Sequence, residues 1–147
     1  MKRYVPGLHG ATQNGDSDIE GFVLVRVEGA SYRWHPQKPF FSLRLNILEP
    51  KRYAGRAISG RLYSTPRALW KLSWFLRDFG YDTDLLGRDE IDEKALRGLR
   101  GIVRISHSVL GRRPFLNLER FAPAANWEEL SATLVITPNE QEAPHDF

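Results

Sequence analysis

Between Gly21 and Arg67 the chain places nine cations (Arg26, Arg33, Lys38, Arg44, Lys51, Arg52, Arg56, Arg61 and Arg67) against two acids, Glu28 and Glu49. Six rings are interleaved with them: Tyr32, Trp34, Phe40, Phe41, Tyr53 and Tyr63. Cations hold a phosphate backbone, and flat rings stack on unpaired bases. The chemistry these residue types support is binding of a single-stranded polyanion. Arg112 and Arg113 add two more cations farther along.

Reaction chemistry finds little footing. The 147 residues contain no cysteine, which excludes disulfides and thiolate metal sites. The four histidines, at 9, 35, 107 and 145, lack metal-ligand spacing. Gly55-Arg56 and Gly60-Arg61 do not have phosphate-loop spacing. Six acids gather between Asp82 and Glu93. They read as a solvated surface, and their spacing matches no ion-binding loop. We expect no catalytic residue, cofactor or metal.

Charge is partitioned. All 21 Lys and Arg lie at or before Arg120, whereas Glu128, Glu129, Glu140, Glu142 and Asp146 follow it. A basic body with an acidic extension is the arrangement expected of a polyanion-binding surface with a separate partner segment. No apolar run approaches the ~20 residues of a membrane helix, and the first residues lack the apolar core of a signal peptide. We expect a cytoplasmic protein, in a bacterial or phage-infected cell.

The elements that must position these residues follow from periodicity. Residues 1–19 are polar and Gly-rich and read as a flexible arm. Phe22–Glu28 alternates, with Val23, Val25 and Val27 on one face and Arg26 on the other. Residues 29–39 contain Gly29, Pro36 and Pro39 and read as a loop carrying Tyr32, Arg33, Trp34 and Lys38, with Gly29 as a bend. Phe40–Leu48 alternates again: Phe41, Leu43, Leu45 and Ile47 face inward, Phe40 and Arg44 outward. Lys51, Arg52, Tyr53 and Arg56 follow on a loop. Arg56–Tyr63 is a third strand, with Arg61 and Tyr63 outward. Thr65 as N-cap and Pro66 at the first position predict a helix with the stripe Leu69, Leu72, Phe75, Leu76 and Phe79. Trp70 and Trp74 flank it as core residues, and Gly80 closes it. A shorter helix is expected over 93–99, then strands over 102–109 and 115–121 joined by a turn with Arg112 and Arg113. His107 and Val109 fall on the inward face of the first of these. Residues 130–136 form a further strand or an extended segment.

Three strands, a helix and two strands is the element order of an OB-fold, a five-stranded Greek-key barrel with the helix between strands three and four. The fold class is therefore all-β with one or two helices. The expected organisation is an arm (1–19), a nucleic-acid-binding domain (20–122) and an acidic extension (123–147), disordered from about 138.

The run from Gly21 to Asp82 resembles the phage and mobile-element family of OB-fold single-stranded DNA-binding proteins. The likeness rests on Pro39-Phe-Phe-Ser-Leu-Arg-Leu-Asn-Ile-Leu-Glu-Pro50, on Tyr53-Ala-Gly-Arg56, on Thr65-Pro-Arg-Ala-Leu-Trp-Lys-Leu72 and on Phe79-Gly80, and extends over about residues 20–121. It implies DNA bound across the outer face of the barrel, no cofactor and no chemistry. Glu140–Phe147 is similar to the acidic tail tip of bacterial single-stranded DNA-binding proteins, although here the last pair is Asp146-Phe147, with Pro144 ahead of it. That likeness implies a hook, Phe147 in a pocket and Asp146 against partner cations, for replication or recombination proteins. The expected ligand is single-stranded DNA, or RNA, coated with little sequence preference. Homodimer and tetramer are both compatible with the sequence. Two rival readings are an OB-type protein–protein adaptor and a small Mg-dependent nuclease.

Overall fold

A computed structural model describes residues 2, 19–110 and 113–132. Five strands form one antiparallel sheet: β1 (Gly21–Arg33), β2 (Phe40–Glu49), β3 (Ala57–Tyr63), β4 (Arg100–Leu110) and β5 (Arg113–Pro123). Their order is β3-β2-β1-β4-β5. Helix α1 (Leu69–Asp78) and the single-turn helices α2 (Thr83–Gly87) and α3 (Glu93–Leu96) lie between β3 and β4. After β5 come a 3-10 turn, Ala124–Asn126, and helical residues 127–132.

Alternation in sequence becomes burial in space. Val23, Val25, Val27, Leu43, Leu45, Ile47, Ile58 and Leu62 are buried from β1, β2 and β3, with Val103, Ile105 and Leu118 from the other two strands. Among the described residues no charged side chain is buried, and the hydroxyl of buried Tyr81 donates to the Glu90 carbonyl and accepts from the Asp92 N–H. Phe75 of α1 and Phe79 just past its end close the cluster against Phe121, with ring centroids 4.5 to 6.1 Å apart. Burying an aromatic side chain of this size contributes about 3 kcal/mol.

The sheet coils until its two edge strands meet. Leu118 of β5 lies so close to the backbone of Gly60 in β3 that a Cβ there would stand 2.6 Å from it. Gly101 likewise admits the Phe79 ring, 2.5 Å from where a Cβ would sit. Strand glycines of this kind mark close approach rather than weak strands. α1 packs against both β3 and β5 and so bridges the two edges.

Several boundaries differ from the sequence reading. β1 does not stop at Glu28. A register shift between Val27 and Gly29 lets it continue, and Gly29–Arg33 pair with Arg44–Phe40. Gly29 thus sits at the bulge, and the connection shrinks to residues 34–39. Helix α1 begins at Leu69, after a turn in which the Ala68 N–H donates to the Thr65 carbonyl, and no side chain caps it. Gly80 does close it, at φ +77°. Ile19 is fully buried, so the core reaches into the expected arm. Val109 is exposed rather than inward, and 127–132 are helical rather than extended. The acidic segment caps helices: Asp82 accepts from the Asp84 and Leu85 N–H groups, and Asp92 from Lys94. Residues 1 and 3–18 of the expected arm, Gly111 and Arg112, the side chain of Arg113, and everything beyond 132, with Asp146 and Phe147, lie outside the described residues. Among the described residues no helix is long and apolar enough to cross a membrane.

Candidate nucleic-acid interface

Strand register builds the outward face row by row. Arg33, Phe40 and Tyr63 stand side by side on β1, β2 and β3, and Ser31, Ser42 and Arg61 follow. Next come Gly29, Arg44 and Ser59, then Arg26, Asn46 and Ala57. Between the arginines the positions are Ser, Gly, Asn or Ala, so the face is low and open. Beside the bulge, Glu28 accepts a 3.0 Å bond from Arg26 Nε. Arg33, Arg44 and Arg61 are exposed.

The rings cluster at one end of this face. Phe40 and Tyr63 lie 5.6 Å apart at 56°, and the Arg61 guanidinium sits 4.4 Å from the Phe40 ring centre. A guanidinium over a ring is itself a flat cationic platform, worth about 0.5–1 kcal/mol at an exposed site. The hairpin beyond is shaped by its own side chains: His35 Nδ1 accepts from the backbone N–H groups of Gln37 and Lys38. The Ser64 N–H and hydroxyl both donate to the Pro39 carbonyl, tying the hairpin base to the end of β3. Trp34 is 73% exposed there, with Lys38 exposed beside it.

Lys51, Arg52, Tyr53 and Arg56 occupy the opposite end. The turn carrying them closes through Tyr53 N–H to the Pro50 carbonyl and Gly55 N–H to the Ile47 carbonyl. Arg52 stacks 4.9 Å from the Tyr53 ring centre. Six residues along β2 separate Phe40 from Asn46, roughly 20 Å at strand rise. The sequence-predicted cations therefore form two clusters joined by a file of arginines.

Three expectations change. Tyr32 lies on β1, not in a loop, and its register pairs it with inward-facing Phe41, their rings 5.2 Å apart. It is thus on the other side of the sheet from Phe40 and Tyr63. Arg33 also lies on the strand. Trp70, expected in the core, is 63% exposed, stacked 6.1 Å from Trp74. Trp74 is half-buried, edge-on to Phe121, and donates from Nε1 to Asp78 at 2.9 Å.

Three residues that periodicity did not single out, Phe115, Asn117 and Lys71, stand at the same site. A groove of about 720 Å³ runs along the seam between β3 and β5, lined by Arg61 and Tyr63 on one side and Phe115 and Asn117 on the other, with Lys71 of α1 at its end. Burial pushes the Lys71 ammonium below its ordinary pKa, and Glu119 pulls it partly back. Only a tertiary contact brings β5 and α1 to β3, so no sequence window contains this grouping.

Across the sheet, around Leu24 and Ile102, the outward side is covered. Leu24 and Ile102 are neighbours on β1 and β4 and are buried on that side. Ala124–Asn126 pack against β4, and Leu130 shares a cavity of about 350 Å³ with Phe22 and Ala122. Among the described residues no group of three or more His, Asp or Glu stands together as a metal ion would require. The chain matches no protein-family model and no curated protein.

Proposed function

We propose that this protein is a non-catalytic single-stranded DNA-binding protein built on an OB-type barrel. The strand order, the contact between edge strands at Gly60 and Leu118, and a helix between β3 and β4 support that barrel type. In such barrels the face of the second and third strands and the loops at its ends meet oligonucleotides. The observation that carries the reading is the outward face of β1, β2 and β3. It sets four arginines among small side chains and ends in the Phe40–Tyr63 ring pair. Arginines hold phosphates, and rings and guanidinium planes take unpaired bases.

The same features argue for little sequence preference, because every base has a flat face. They favour a polyanion over the apolar partner of an adaptor. The acidic segment from about Pro138, with Asp146 and Phe147, serves in this proposal as the hook for replication or recombination proteins.

The test is a titration of the full chain with oligo-dT, the equivalent RNA and a duplex of equal length. The expected result is clear preference for the single strand over the duplex. Equal affinity for both contradicts stacking, and preference for the RNA strand redirects the proposal from DNA to RNA.

A further inference from the structure

The groove at the β3–β5 seam extends the proposed face into a recess. Its β3 wall is the end of the outward file, Arg61 and Tyr63, and its β5 wall presents Phe115, 44% exposed. The groove's volume of about 720 Å³ falls within the ~300–1,000 Å³ of small-molecule sites. Two cations, Arg61 and Lys71, stand on it. The nearby acid Glu119 is engaged by Arg104 at 3.4 Å. Asn117 supplies a polar wall and is held in place: its Nδ2 donates to Ser108 Oγ at 2.7 Å. Flat rings, a fixed amide and excess positive charge together fit a nucleotide better than an apolar peptide.

We propose that this groove receives one nucleobase of the bound strand, in contact with Tyr63 and Phe115, while Arg61 and Lys71 hold its phosphate. The inference rests on the single-strand-binding reading and deepens it: the strand does not only cross the sheet but turns over its β3 edge into the seam. Extruding a base costs least in a strand that is already unpaired.

The experiment titrates the full chain and two variants with oligo-dT and with a base-free deoxyribose-phosphate strand of equal length. Phe115→Ala is expected to weaken oligo-dT binding about tenfold, the loss of one stacked base. Its affinity for the base-free strand should equal the wild type's. Lys71→Gln is expected to lower the slope of log affinity against log salt by about 0.7, the single-strand value per phosphate contact. Wild-type oligo-dT affinity in Phe115→Ala, or an equal loss on both strands, overturns the groove assignment and leaves the outer face untouched. An unchanged salt slope in Lys71→Gln removes the phosphate contact. A wild-type chain that does not bind oligo-dT at all overturns this proposal together with the reading beneath it.

Discussion

The outward side of one sheet is put to two uses, and β1 takes part in both. Toward β4, Leu24 stands beside Ile102, and the pair is buried on that side. Toward β2, two residues further along, Arg26 stands beside Asn46, and the rows continue with Gly29, Ser31, Arg44 and Arg61 in the open. The difference lies in the side chains rather than the backbone. Where outward residues are apolar, chain that follows β5 packs nearby. Where they are Arg, Ser and Gly, covering them would strand charges and hydroxyls away from water, which costs more than packing returns.

Substitutions on the two sides should separate cleanly. The largest effect belongs to the covered side: Ile102→Ala should lower unfolding free energy by about 2–5 kcal/mol in chemical denaturation. Ser42→Ala and Ser59→Ala on the open side should stay within about 0.5 kcal/mol. Comparable losses on both sides would erase the distinction. In binding, the order reverses. Phe40→Ala and Tyr63→Ala should each weaken oligo-dT binding by ~1–3 kcal/mol, while Ile102→Val, which keeps the packing, should bind as wild type. Next in size are the arginines: Arg44→Gln and Arg61→Gln should each reduce the salt slope by about 0.7, the single-strand value per phosphate contact. A full slope in both variants would mean that the file of arginines touches no phosphate.

The smallest effect concerns Lys71. Its folded pKa is held below the ordinary 10.5, first by burial, with Glu119 opposing. Between that lowered value and 10.5 the unfolded chain binds a proton that the folded chain lacks, so stability rises with pH across this window. Lys71→Met should flatten that rise in pH-dependent melting. An identical rise in the variant would show that another group carries it.

Much of this was legible in the residues. Phe40–Leu48 announces its own faces, because strict alternation is also strict burial: Phe41, Leu43, Leu45 and Ile47 are all buried. The second half of β1 was hidden by Gly29, Pro36 and Pro39, which read as loop when only local propensity is weighed. A bulge absorbs the glycine and both prolines fall in the short hairpin, so the strand continues. Trp70 and Leu69 mislead for a related reason. The helical stripe is genuine from Leu72 onward, but α1 begins at Leu69 and its first turn overhangs the core. The site itself divides in the same way. Phe40, Arg44, Arg61 and Tyr63 share a face by alternation and were visible. Tyr32 was misplaced because its face is set by the bulge. Phe115 and Lys71 join the site only through the coiling of the sheet, which no local pattern encodes.

The central claim is that the open face binds unpaired bases, and the most direct measurement removes its two rings together. A Phe40→Ala/Tyr63→Ala double variant of the full chain is titrated with fluorescently labelled oligo-dT beside the wild type. Both are first melted to compare their folds, since half-buried surface rings are not core residues. The account predicts an intact fold and at least a tenfold loss of affinity, the equivalent of about 1.4 kcal/mol. A double variant that folds normally and binds oligo-dT as tightly as the wild type contradicts it.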